Sequence, residues 1–178
     1  IPVEYELVRT ICTVAQQERK KLGVLKTDAQ LLGGFSMQGQ TEESELVREL
    51  RKQYEVVEVD PAKPITQRFD VLLAVQPSSL NAVAMENFVA AVKSGQPTAI
   101  FEDPFPYPLP GSEVVGTAQP KRPQGGMMGM LGGSQQPEQK GDIQKLWSLL
   151  GVEMDGGEIV WQRFNPEPKL SDIDPEYV

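Results

Sequence analysis

The stretch Phe69-Asp-Val-Leu-Leu-Ala-Val75 constrains the fold more than any other part of the chain. It is almost continuously apolar and follows a segment broken by Pro61 and Pro64. A strand of this kind carries nonpolar side chains on both faces, so both faces must be covered. That requirement is met in the interior of a parallel sheet with helices packed on either side.

The flanking segments supply such helices and further strands. Val3, Leu7, Val8, Ile11, Val14 and Ala15 recur at helical spacing, predicting a helix from about Glu4 to Lys20. Leu22-Gly-Val-Leu25 reads as a first strand, and Asp28 to Gln40, with Gly33, Gly34 and Gly39, as a loop. Thr41 is placed to cap a helix whose first turn holds Glu42, Glu43 and Glu45, with Leu46, Val47 and Leu50 as its buried stripe. Tyr54-Glu-Val-Val-Glu-Val59 alternates as a strand should. Beyond Val75, Ser78 or Ser79 caps a helix turning Leu80, Val83, Ala84, Phe88, Val89 and Val92 inward, and Gly95 ends it. Pro97-Thr-Ala-Ile-Phe101 is a fourth strand. Ile143, Leu146, Trp147, Leu149 and Leu150 mark another helix, and Glu158-Ile-Val-Trp161 a fifth strand.

Strand and helix alternate with short links, which predicts an α/β three-layer sandwich with a flavodoxin-like, mainly parallel five-stranded sheet in the order 2-1-3-4-5. Residues 1–178 are expected to form a single domain excised from a longer protein, since the chain starts at Ile1 and ends in Asp172-Ile-Asp-Pro-Glu-Tyr-Val178 without a stop signal. On that reading the first helix packs on the side or leads in from an upstream unit, and the domain is one module of a larger scaffold.

One stretch breaks the pattern. Residues 105–141 begin with prolines alternating with Phe105, Tyr107 and Leu109 and pass into Gln124-Gly-Gly-Met-Met-Gly-Met-Leu-Gly-Gly-Ser134. Connections in such folds are short, so an insert this long is either functional or mobile. A flexible Pro/Gly/Met-rich insert is expected, with methionine and glycine offering an adaptable apolar surface.

Composition removes several kinds of chemistry. No histidine is present, which excludes Ser-His-Asp and Cys-His nucleophile systems and His-ligated zinc within this chain. Lys and Arg number 17 against 25 Asp and Glu, a net charge of −8, whereas a nucleic-acid surface needs a concentrated positive field. The lone Cys12 falls on the apolar face of the first helix and reads as a small buried hydrophobe. No apolar run approaches the ~20 residues that cross a bilayer, and no signal peptide is visible.

In an open parallel sheet, ligands bind beyond the carboxyl ends of the strands. Here that edge offers Thr27 and Asp28, then Gln76 and Ser78, then Glu102 and Asp103. Thr27 to Phe35 has Gly33 and Gly34 but no glycine pattern that cradles a pyrophosphate. A phosphoacceptor domain needs an aspartate after the third strand, where Gln76 stands. An amidotransferase-like elbow needs a cysteine and a histidine, and Val75-Gln-Pro-Ser-Ser79 supplies neither. Asp28, Glu102 and Asp103 could converge on a hard cation, although Asp103 before Pro104 is also a common turn cap. No catalytic set, cofactor or dedicated metal site is expected. The alternative kept open is a cation-dependent enzyme using those three acids.

Val3-Glu-Tyr-Glu-Leu7, followed by a helix and Lys21-Leu-Gly-Val-Leu25, resembles the middle of GldG-type proteins. These are auxiliary components of uncharacterised ABC transport systems linked to gliding motility. Met85 to Pro104 is similar to that family's helix, glycine turn, apolar strand and terminal Asp-Pro, and Leu146 to Val152 to its next element. The likeness covers most of the chain outside the insert. It implies an extracytoplasmic (periplasmic) domain of a membrane-anchored protein, working beside an ABC transporter permease and ATPase. It also implies a fold shared with an intraflagellar-transport subunit domain, and no catalytic residues to carry over. Lys26-Thr-Asp-Ala-Gln30 departs from the Gly-His-rich turn common there. The function expected is therefore a non-enzymatic accessory domain that binds a partner protein or a small ligand, such as a carbohydrate, at Thr27, Asp28, Gln76, Ser78, Glu102 and Asp103.

Overall fold

The computed structural model describes residues 3–15, 18–36, 39–106, 114–121 and 138–154. In chain order the elements are α1 (Val3–Ala15), β1 (Lys21–Leu25), β2 (Gly34–Ser36), β3 (Gly39–Thr41), α2 (Glu45–Arg51), β4 (Glu55–Val59), β5 (Val71–Val75), α3 (Ala82–Lys93), β6 (Thr98–Phe101) and α4 (Gln144–Leu150). A short 3-10 turn, Pro77–Ser79, joins β5 to α3.

Four strands form one parallel sheet in the order β4-β1-β5-β6. β1 and β5 lie inside it, with Leu22 opposite both Val56 and Val71. Their burial follows from that position: Leu22–Leu25 and Leu72–Ala74 are buried, whereas β4 and β6 are only partly covered. The fifth strand expected at 158–161 lies outside the described residues, so the described sheet has four strands.

Alternation along the strands splits the apolar side chains between two cores. On one face Leu25, Leu72 and Ala74 meet Met85 and Phe88 of α3 and Leu146 and Trp147 of α4. On the other, Leu22, Val24 and Leu73 meet Leu31, Leu32, Leu50 and Tyr54. Fully burying a side chain such as Phe88 or Leu72 contributes roughly 1.5–3 kcal/mol.

Several local expectations are corrected. Asp28 to Gln40 is not simply a loop, because Gly34–Ser36 pairs antiparallel with Gly39–Thr41. That pairing draws Thr41 into a strand, and Ser44 caps α2 instead, its Oγ accepting from the Val47 N–H at 3.3 Å. Within α2, Val47 is the buried residue and Leu46 faces solvent. Asn81, not Ser78 or Ser79, caps α3, its Oδ1 accepting from the Ala84 N–H at 3.0 Å. The two serines are consumed in the buried 3-10 turn. Val83, Leu149 and Leu150 point outward, and Met85 takes an inward place on α3. Helix α1 is described over Val3–Ala15, residues 18–20 are not helical, and the stripe of Val3, Leu7, Val8, Ile11 and Val14 is exposed. The Cys12 side chain lies outside what is described.

Two parts of the 105–141 interval are packed against the sheet edge. Val115 is buried, the Gly141 N–H donates to the Leu80 carbonyl at 2.7 Å, and Lys140 bridges Asn81. Gly141 is required there, because a Cβ would stand 2.5 Å from Met85 Cβ and 2.8 Å from the Asn81 carbonyl oxygen. The glycine- and methionine-rich centre lies outside the described residues.

Candidate functional site

From β1 the chain crosses to β4 on one side, and β5 then enters on the other. Crossovers leaving in opposite directions open a crevice at the carboxyl ends of β1 and β5. Side chains stitch the two loops there. Thr27 Oγ1 donates to the Val75 carbonyl at 2.7 Å, and the Asp28 N–H donates to Ser79 Oγ at 3.1 Å.

Gln76 follows β5 in the left-handed region, at φ 54° and ψ 52°. A residue with a Cβ pays roughly 1–2 kcal/mol for that conformation, so surrounding bonds must hold it. Its side chain is 3% exposed and is engaged at both ends of the amide. Nε2 donates to Glu102 Oε1 at 3.0 Å and to the Asp103 carbonyl at 2.8 Å, and Oε1 accepts from the Asp103 N–H at 3.1 Å. Glu102 Oε2 accepts from the Ser78 N–H at 3.1 Å, and its Oε1 accepts from the Thr117 hydroxyl at 2.6 Å. Asp103 Oδ1 accepts from the Phe105 N–H at 2.9 Å, the turn expected of Asp before Pro. Gln76, Ser78, Glu102 and Asp103 therefore form one network that braces the ends of β5 and β6. A strand-to-helix turn of this shape can present a nucleophile, but an amide held at both ends attacks nothing.

Thr27 and Asp28 lie on the other side of the crevice and line a cavity of about 450 Å³. Lys26, Glu58, Asp60 and Lys121 share its walls, over a floor that includes Leu31, Leu32, Leu80 and Ala84. Asp28 meets Lys121 Nζ at 3.3 Å, and Lys121 reaches Glu138 at 3.1 Å. Burial raises the Asp28 carboxyl above the usual carboxylate range, against the pull of the Lys121 charge. Glu138 is held below that range, chiefly by the Asn81 amide donating at 2.8 Å and then by Lys121. Burial lowers Lys140, whose ammonium donates to the Gly116 carbonyl at 2.7 Å and the Thr117 carbonyl at 3.3 Å.

The structure thus brings four of the six expected residues into one network and places the other two on the cavity. The carboxylates of Asp28, Glu102 and Asp103 are engaged by different donors. Among the described residues no group of three or more acids or cysteines is placed to hold a metal ion. Residues not anticipated from sequence are Lys121, Glu138 and Lys140, which return from the 105–141 interval, Glu58 near the end of β4, and Asp60 just after it. The two lysines, one on each side of the glycine- and methionine-rich stretch, were the available signal. A second hollow of about 980 Å³ runs along α4 past Trp147 and Met154.

A family model described as ABC-type uncharacterized transport system matches residues 19–176. The chain belongs to that family. Comparison with curated proteins and with solved structures gives no match. As a member of the ABC-type transport-system auxiliary family, the chain has its cavity, its Gln76 network and both lysines inside the matched stretch, whereas α1 precedes it.

Proposed function

We propose that this chain is a non-enzymatic accessory domain of an ABC-type transport system, recognising a partner protein or small ligand at the carboxyl edge of its sheet. The observation that carries this reading is the Gln76 amide: it occupies the turn where such folds display reactive groups, and both its ends are bonded to Glu102 and Asp103. The edge is thereby stiffened as a scaffold, beside a cavity walled by charged side chains. Family membership supports a place beside a transporter permease and ATPase. The finer reading, a GldG-type, gliding-motility-associated domain on the extracytoplasmic face of a membrane-anchored parent, rests on the sequence resemblance. The order β4-β1-β5-β6 supports a flavodoxin-like arrangement.

The cation-dependent alternative is not favoured, because Lys121 occupies Asp28, Gln76 and Thr117 occupy Glu102, and Asp103 caps a turn. Co-expression of the tagged chain with its permease and ATPase tests the proposal, and a complex that survives detergent extraction and gel filtration is the expected result. Turnover of a hydrolase or transferase substrate by the purified chain, abolished by Asp28→Asn or Asp103→Ala, overturns it.

A further inference from the structure

We propose that the cavity between the carboxyl ends of β1 and β4 takes an alkylammonium group on a short aliphatic stem. This deepens the recognition reading above and rests on it. Three carboxylates, Asp28, Glu58 and Asp60, line the space against two ammonium groups, Lys26 and Lys121. Asp28 is committed to Lys121. Glu58 meets Lys26 only at 3.7 Å, in a pair whose side chains are both more than half exposed. Asp60 has no cationic partner among the described residues, and its Oδ1 accepts from the Ala62 N–H at 3.0 Å. One wall therefore carries carboxylate oxygens open to a cationic donor.

The remaining surface sets the shape of that cation. Leu31, Leu32, Leu80 and Ala84 give an aliphatic floor for a stem of a few methylenes. Among the described residues no aromatic side chain lines the cavity, so they supply no cage of the kind that recognises quaternary ammonium. An ammonium that still carries N–H donors suits carboxylate oxygens instead. The chain's net charge of −8 also draws cations toward it.

The test is an NMR titration of the full chain with n-butylammonium, n-butanol, tetramethylammonium and glucose at constant ionic strength. Butylammonium is expected to shift the amides of residues 26–33, 58–60 and 62, with n-butanol about tenfold weaker because it lacks the charged hydrogen bonds. Asp60→Asn and Glu58→Gln, both at exposed positions, are each expected to weaken butylammonium by about threefold while leaving the unfolding midpoint in place. Equal binding of butanol or tetramethylammonium overturns the proposal, as do glucose binding in place of the amine, indifference to Asp60→Asn, and no binding. Nα-acetyl-lysine amide distinguishes the source: tighter binding than butylammonium points to a lysine side chain of a partner, weaker binding to a free amine. A transporter complex without amine binding removes this inference alone, and amine binding without a complex removes the transporter reading alone.

Discussion

Gln76 and Glu102 face each other across the ends of β5 and β6, amide nitrogen to carboxylate oxygen at 3.0 Å. The contact holds a left-handed residue in place and gives a partly buried carboxylate a donor. Replacing Gln76 by Leu keeps the backbone strain, leaves the Asp103 N–H and carbonyl without their partner, and removes one of the three donors to Glu102, the Ser78 N–H and Thr117 hydroxyl remaining. A loss of about 2–4 kcal/mol in urea unfolding is expected. Gln76→Gly relieves the strain while losing the same bonds, so it should fall closer to wild type. A Gln76→Leu protein as stable as wild type sinks this account.

Asp28 and Glu138 share Lys121, yet their carboxyl groups are displaced in opposite directions. Raised in the folded state, Asp28 binds its proton more tightly there than in the unfolded chain. Its contribution is therefore present at low pH and is lost as pH rises through the elevated folded value. Glu138, lowered, contributes above the ordinary carboxylate range and loses that contribution as pH falls. Stability of Asp28→Asn relative to wild type should rise with pH across the acid range, and that of Glu138→Gln should fall. Parallel slopes in the two variants, measured by urea unfolding from pH 3 to 7, contradict this assignment.

Gly141 lets the chain pass against the start of α3, where a Cβ would overlap Met85 and the Asn81 carbonyl. Because backbone is among the atoms in the way, Gly141→Ala is expected to cost about 1–3 kcal/mol. Hydrogen exchange should show Lys140 and Gly141 loosening first; full retention of stability argues against the close approach.

Helices α1 and α2 each carry an apolar stripe in sequence but differ in burial. Ile11 is 58% exposed and Val47 is 0% exposed. Ile11→Ser should therefore change stability by less than about 0.5 kcal/mol, whereas Val47→Ala should cost roughly 1–3 kcal/mol. Comparable losses from both substitutions mean that α1 is packed in solution.

The parallel strands were legible because Leu22–Leu25 and Phe69–Val75 are apolar on both faces, a pattern that interior strands require. The β2–β3 hairpin was not, since glycines flank its short strands without an alternating pattern. Helix caps were misplaced where serines had a competing use: Ser78 and Ser79 serve the 3-10 turn, which leaves capping to Asn81. At the sheet edge, Thr27, Asp28, Gln76, Ser78, Glu102 and Asp103 were selected by the rule that ligands meet strand carboxyl ends. Their division into a braced network and a cavity wall was not visible. Lys121 comes to Asp28 from 93 residues away, and no local pattern records such a meeting.

What the sequence determined by itself is the alternation of strand and helix and the chemistry that a chain without histidine cannot perform, because both follow from side-chain identity and near-neighbour spacing. Tertiary structure alone decided which polar groups bond one another and which face open space. Gln76 reads as a vacant catalytic position until the crossover from β5 to β6 brings Glu102 and Asp103 to its amide. Hydrogen bonds that close over long loops depend on where strands pack, and packing is a property of the whole chain.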